Sequence, residues 1–206
     1  MRRYLSIFAA CAVGSSAAFA QTISLDTADR FAFGGPADGS YRLYDRATGK
    51  LVAKTDALVA EVYALPEKGQ PNAYVVLAEG WEDGWAFSVR RVNGREIADL
   101  FRVPDADRFF DAHDLSADEQ LDFTFYRSAG DDIDTEFGLV ALRDYVSGPS
   151  GYSEQTPPCG SPRNTLARQR LAHAIERNKR RSRPDAKAST FFSDEVLRLS
   201  QGCQAK

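Results

Sequence analysis

Residues that most often carry out chemistry are scarce in this 206-residue sequence, which contains two histidines, three cysteines and one methionine. With so few histidines, His113 lacks a partner histidine at metal-ligand spacing. The sequence also lacks the G-x-S-x-G and H-E-x-x-H motifs of common hydrolases, and any Cys/His nucleophile pair. After residue 20, no apolar run is long enough to predict a membrane-spanning helix. These absences leave few routes to catalysis, and we predict no cofactor and no metal site.

Residues 1–20 have the pattern of a secretory signal peptide. The positive start Met1-Arg2-Arg3 is followed by an apolar run from Tyr4 to Ala18 and by the cleavage-site pattern Ala18-Phe19-Ala20. A twin-arginine signal and a lipoprotein site at Cys11 are alternatives, but the residues around each motif fit poorly. We therefore expect a periplasmic or secreted protein exported by the general secretory route.

Cleavage after Ala20 would remove Cys11 and leave two cysteines, Cys159 and Cys203. An even pair in an exported chain predicts a disulfide. Closing a loop of this length would stabilise the fold by roughly 4 kcal/mol in the chain-entropy model.

Charge is distributed unevenly along the chain. The whole chain carries −3, residues 160–206 carry +7 and residues 1–20 carry +2, which leaves −12 for residues 21–159. Such an asymmetry is compatible with an anionic partner, or with docking of the basic tail on the acidic body. Nucleic acid is disfavoured as a partner by the predicted compartment and by the acidic body.

Hairpin patterns dominate residues 21–147, whereas Gly, Pro and Ser crowd residues 148–162 and a basic segment follows in 163–206. We predict a mainly β domain, an antiparallel sandwich or a barrel-like sheet, then a connector and a C-terminal helical hairpin tied by the disulfide. Residues 55–65 fit a strand better than a helix because their neighbours resemble strands. Residues 104–120 predict a loop with a helical turn or two.

A three-stranded meander from Tyr74 to Phe101 is the centre of the predicted domain, since Asp83-Gly84 and Asn93-Gly94 are strong hairpin signals. A two-residue Asn93-Gly94 turn would pair Val92 with Arg95 and Phe87 with Leu100. It would place Phe101 on the opposite, mostly polar face.

The loop around Asp83 decides where the two tryptophans lie. A two-residue turn at Asp83-Gly84 would send Trp81 to the polar face, whereas a three-residue loop would place it beside Trp85 in the core. Burial favours the three-residue loop, and with it core packing of both rings over the alternative of a carbohydrate-stacking platform.

Two helices are predicted in the tail. The first starts at Ser161-Pro162 or Asn164 and ends before Pro184. A second starts at Ser193, with Phe192 stapled onto Leu197. The apolar stripe of the first helix is narrow: Ala167, Leu171, Ala174 and Ile175.

The best cluster for acid/base or metal chemistry is Asp111, His113 and Asp114, with the solvated acidic loop as the simpler interpretation. Asp131 to Glu136 has the composition of a calcium loop but not the spacing of an EF-hand, so a charged turn is predicted there.

The resulting functional hypothesis is an exported cell-envelope module, binding or structural, without catalysis. Its binding residues would be Arg177, Arg180, Arg181 and Arg183, which would contact an anionic envelope component or the protein's own acidic body. The alternative is a periplasmic hydrolase that uses the Asp111/His113 loop.

Overall fold

The computed structural model describes residues 30–37, 39–67, 70–82, 84–129, 139–201 and 203. The predicted signal peptide, the charged turn of residues 131–136 and Gly202 lie outside these residues. Within the described part, eleven strands form three antiparallel sheets, and two helices follow them.

The first sheet contains β1 (Phe31–Ala37), β2 (Ser40–Asp45) and β3 (Leu51–Thr55). The second contains β4 (Val59–Glu67), β5 (Gln70–Trp81), β6 (Gly84–Asn93) and β7 (Glu96–Ala106). The third contains β8 (Phe110–His113), β9 (Asp122–Ser128), β10 (Leu139–Val146) and β11 (Ser153–Gln155). The helices are α1 (Pro162–Lys179) and α2 (Ala186–Gln201). The mainly antiparallel β class, with a helical hairpin and a disulfide after it, is therefore confirmed.

Three apolar cores join the sheets and helices as successive layers. One core, which includes Leu43 and Leu77, lies between the first and second sheets. Another, which includes Phe87 and Phe123, lies between the second and third sheets. The last core lies between the third sheet and the helices and includes Leu171. The second sheet is thus covered on both faces.

Strand β5 shows this double burial most clearly. Tyr74, Val76 and Ala78 pack toward the third sheet, whereas Val75 and Leu77 pack toward the first. The sequence predicted one buried and one polar face for the meander. That prediction is wrong because the first sheet covers the face expected to be polar.

The prediction of a three-residue loop between β5 and β6 is also wrong. Trp81 pairs with Gly84 and Gly80 pairs with Trp85, so the two tryptophans point to opposite faces of the sheet. Gly80 makes room for the Trp85 ring, because a Cβ at residue 80 would lie 3.1 Å from that ring. Burial could not select the register here, since both faces are buried.

The turn between β6 and β7 is displaced by one residue from the prediction. Asn93 pairs with Glu96, and Gly94 takes a left-handed φ of 56° within the turn. A bulge near Val89 then brings Phe101 opposite Val89 rather than onto the other face. Phe101 consequently stacks on Tyr145, with ring centroids 4.6 Å apart.

The segment 104–120 contains no helical turn in the structure. Strand β7 continues to Ala106 and residues 110–113 form β8, which pairs with β9. Phe110 belongs to the aromatic core, packed edge-on against Phe87 at 5.5 Å. Aromatic burial on the β9 edge therefore prevails over the helical tendency of this segment.

The start of α1 is confirmed, and the start of α2 is not. Ser161 caps α1 by accepting a 3.1 Å hydrogen bond from the Asn164 N–H. Helix α2 begins at Ala186, where Asp185 accepts from the Ala188 N–H at 3.0 Å. The predicted cap, Ser193, instead donates to the Ser189 carbonyl within the helix.

Cys159 and Cys203 form the predicted disulfide, with Cα atoms 4.7 Å apart. The bond joins the residues just before α1 to those just after α2. It therefore closes the open end of the helical hairpin, opposite the turn between the helices.

Candidate binding surfaces

Asp111 and His113 lie on strand β8 rather than in a solvated loop. In the ladder with β9, Asp111 faces Thr124 and His113 faces Asp122. The half-buried His113 ring has its Nε2 3.4 Å from the Thr124 hydroxyl, and Tyr126 donates a hydrogen bond to Asp111. Strand pairing thus assembles a polar cluster on one face of the third sheet.

Helix α1 completes this cluster with Arg163. Its guanidinium donates to both carboxylate oxygens of Asp144, at 2.6 Å and 2.5 Å, and also contacts the Thr124 hydroxyl. Thr124 donates to Asp144 at 2.7 Å. Thr124 and Asp144 are both buried, so their side chains form hydrogen bonds within the protein rather than with a ligand.

Burial lowers the pKa of His113, and the positive charge of Arg163 lowers it further, against the raising effect of Asp111, Asp144 and Asp122. The lowered pKa favours the neutral form of the imidazole at pH 7. A neutral histidine beside a threonine hydroxyl is compatible with a general base. However, Thr124 is 0% exposed, so a substrate has no access to that hydroxyl in this structure.

Asp114, the third candidate, lies in the turn after β8, where its carboxylate accepts the Glu119 N–H at 3.0 Å. The fully buried Asp122 holds the same turn by accepting the N–H groups of Leu115 and Ser116. These carboxylates accept hydrogen bonds from backbone N–H groups, and no side-chain hydrogen bond or ion pair joins Asp114 to the His113 ring.

Sequence reasoning missed Thr124, Asp144 and Arg163. Asp122 and Thr124 alternate with phenylalanines in β9, a pattern that normally places polar residues in solvent. The signal that could have identified them is an arginine in the first turn of a helix predicted to pack on that sheet, because such an arginine needs a carboxylate partner.

The turn between the helices carries the predicted binding residues. We call residues 177–183 the basic tip; five of its seven residues are Lys or Arg. Arg177, Lys179, Arg180 and Arg183 are exposed, and Arg181 is half-buried. None of the described residues forms a side-chain hydrogen bond or an ion pair with Arg177, Arg180 or Arg183.

The backbone under the basic tip is firmly held. The buried Asn178 side chain donates to the Asp185 carbonyl at 3.0 Å and to the Ser189 hydroxyl at 2.9 Å, and accepts from the Asp185 N–H at 2.8 Å. These three bonds join the end of α1 to the start of α2. The arginines therefore extend from a turn of defined geometry.

Two cavities lie outside the His113 cluster. One, of about 400 Å³, lies between the helices beside the basic tip and is lined by Ile175, Lys179 and Phe192 among others. The other, of about 360 Å³, lies at the end of the β5–β6 hairpin and includes Trp81 and Trp85. Neither is lined by Asp111 or His113.

In the described ranges, no group of three or more His, Cys, Asp or Glu residues is placed to hold a metal ion. Over the same residues, neither helix has the length and apolar character needed to cross a membrane. Comparison with protein-family models, with curated proteins and with solved structures found no match.

Proposed function

We propose that this protein is an exported, non-catalytic module of the cell envelope that binds an anionic envelope component through its basic tip. The observation that carries the proposal is the set of exposed arginines, Arg177, Arg180 and Arg183, which form no side-chain hydrogen bond or ion pair among the described residues. The disulfide and the signal-peptide pattern of residues 1–20 support export.

Other charged residues of the tail pair with groups inside the protein, but among the described residues Arg177, Arg180 and Arg183 form no such pair. The helices are attached to the third sheet by an apolar core, by the Arg163–Asp144 pair and by Arg143, which forms a bidentate pair with Glu195 of α2. No ion pair with a described acidic residue of the sheets involves the three exposed arginines. Their charge is therefore available to an external anion.

The alternative, a hydrolase that uses His113, has less support. The groups around His113 are hydrogen-bonded to one another, and the Thr124 hydroxyl, which is in contact with the ring, is fully buried. We therefore predict that His113→Ala leaves the binding activity of the protein unchanged.

The experiment compares vesicles of phosphatidylglycerol and phosphatidylcholine with vesicles of phosphatidylcholine alone. We expect retention on the anionic vesicles only, and weaker retention as salt rises, because charges about 10 Å apart are largely screened near 0.1 M salt. The triple variant Arg177→Gln, Arg180→Gln, Arg183→Gln should lose at least about tenfold in affinity, since each basic residue near an anionic surface contributes about 1 kcal/mol.

The matched control removes three exposed cations from the β-rich part of the chain: Lys50→Gln, Lys54→Gln and Arg95→Gln. It changes the net charge equally and should keep most of the retention. Equal losses in the two variants would show a general charge effect and contradict a site at the tip. Thermal stability should hold in both; a low-salt stability loss confined to the tip variant would instead show internal docking.

A further inference from the structure

The chain contains only two tryptophans, and both line one cavity of about 360 Å³. The cavity lies where the β5–β6 hairpin meets the last residues of β7. Trp81 and Trp85 point to opposite faces of the sheet but border the cavity from two sides of the hairpin end. Its size is at the small end of the range for small-molecule pockets.

A bulge in β7 forms the opposite wall. The pairing shifts between Trp85–Ala106 and Phe87–Val103, so Pro104 and Asp105 together face a single residue of β6. Asp105 has a left-handed φ of 51°, which is uncommon for a residue other than glycine. Bulges of this kind often re-aim side chains at functional sites, and here Asp105 lies in the cavity lining.

Arg102 supplies a fixed donor beside the aromatic surface. Its guanidinium lies 5.9 Å from the centre of the Trp81 ring and 3.2 Å from the buried carboxylate of Glu79. The side chain is nevertheless 56% exposed, so it retains N–H groups that face solvent. Glu79 therefore orients the arginine without using all of its donors.

The two rings differ in exposure. Trp85 is buried against Gly80 and has the Arg108 guanidinium 5.5 Å from its ring centre. Trp81 is only partly buried. Trp85 thus forms a rigid wall, and Trp81 offers the aromatic surface that a ligand can reach.

The chemistry of the lining selects a ligand class. Aromatic rings suit the apolar C–H face of a sugar, while a guanidinium and a carboxylate match hydroxyl groups, which both accept and donate hydrogen bonds. The charge of Arg102 is balanced by Glu79, and Asp105 adds a negative charge at the rim, so an anion is disfavoured. A purely apolar ligand would leave both charged groups without partners.

We propose that this cavity binds a neutral saccharide, with Trp81 stacking on a sugar ring while Arg102 and Asp105 hydrogen-bond its hydroxyls. The site is separate from the basic tip and does not depend on the function proposed above. The sequence argument against a carbohydrate platform rested on a register in which both rings entered the core, and the structure contradicts that register.

Intrinsic fluorescence reports directly on this site because no other tryptophan contributes. We would titrate the mature protein with three neutral tetrasaccharides, cellotetraose, chitotetraose and maltotetraose, up to about 10 mM, a range that detects millimolar dissociation constants. At least one should give a saturable change in emission that is unaffected by salt. An acidic tetragalacturonate should bind more weakly than the best neutral ligand.

Three variants test the residues, and circular dichroism checks the fold of each, because Arg102→Gln also removes the arginine partner of the buried Glu79 carboxylate. Asp105→Asn keeps a residue that tolerates the left-handed backbone and should weaken binding several-fold. Arg102→Gln should do the same, whereas Arg95→Gln, which changes an exposed arginine in the turn before β7, should bind like the native protein. Trp81→Ala should lower affinity at least about tenfold, followed through Trp85 emission, with circular dichroism checking the fold.

Three outcomes would overturn the proposal: no saturable signal from any neutral tetrasaccharide by fluorescence or by ligand-detected NMR, tighter binding of the acidic sugar, or equal losses in Arg102→Gln and Arg95→Gln. None of these outcomes bears on the proposal for the basic tip, because vesicle binding there depends on salt and on other residues. The two proposals can therefore fail independently.

Discussion

The two ends of the helical hairpin use the same residue type in opposite ways. At the base, where Cys159 and Cys203 join, Arg163 is bound to the buried Asp144. At the basic tip, Arg177, Arg180 and Arg183 form no side-chain hydrogen bond or ion pair within the described residues. The 18 residues of α1 separate these ends by about 27 Å.

This contrast shows that the net charge of a segment does not reveal its role. The excess of +7 in residues 160–206 contains both groups of arginines. Arg163, at the base, neutralises the buried carboxylate of Asp144 and attaches α1 to the third sheet. Arg177, Arg180 and Arg183 at the tip have no side-chain hydrogen bond or ion pair among the described residues, so a test of the comparison must separate the ends.

The largest expected effect comes from removing the covalent link at the base. The Cys159→Ser, Cys203→Ser double variant should lose about 4 kcal/mol of unfolding free energy, because the disulfide spans 44 residues and restricts the unfolded chain. Urea unfolding measures the loss, and intact mass with alkylation verifies the bond. Two alkylatable thiols in unreduced native protein would contradict this prediction.

The next-largest expected effect is a difference in stability between two variants, each of which lacks one arginine from one end of the helical hairpin. Arg163→Gln should destabilise the protein by about 3 kcal/mol because it leaves the carboxylate of Asp144 buried and poorly paired. Arg183→Gln should change stability by less than about 0.5 kcal/mol, as is usual for an exposed substitution. Urea unfolding of both variants under one condition provides the measurement. If they behaved alike, base and tip would not differ as described.

Local sequence signals predicted the parts of the fold that depend on short-range chemistry. The hairpins, the cap of α1 at Ser161 and the Cys159–Cys203 pair all follow from neighbouring residues or from elimination. Registers were not predictable in the same way, because they depend on what covers each face. Once the first sheet buried the second face of β5, hydrophobicity no longer distinguished one face from the other.

The candidate sites, like the fold, were predicted only in part from the sequence. The sequence identified the basic tip from composition alone, and the structure adds its exposure. It identified Asp111 and His113 but not Thr124, Asp144 and Arg163, which come from two strands and a helix distant in sequence. The sequence also indicated Trp81 and Trp85, but the cavity that both residues line depends on a β-bulge at Asp105. No local sequence motif predicts that bulge.

The smallest expected effect concerns His113 at the base of the hairpin. Its pKa is lowered in the folded protein, first by burial and then by Arg163. The unfolded chain, with a histidine pKa near 6.5, therefore takes up a proton at a higher pH than the folded protein does. Stability should fall as the pH drops below about 6.5, and this contribution should level off below the folded-state pKa.

Replacing His113 with Gln removes this contribution, so the difference in unfolding free energy between native protein and variant should change between pH 7 and pH 5. Each unit by which the pKa is lowered corresponds to about 1.4 kcal/mol in that difference. His173→Gln, at an exposed position of α1, is the matched control for the replacement of a histidine. If the native protein instead gained stability relative to His113→Gln on acidification, the nearby carboxylates Asp111, Asp144 and Asp122 would outweigh burial and Arg163. In that case the base of the hairpin would favour a protonated histidine, and the cluster would be an acid-stabilised contact between β8 and α1.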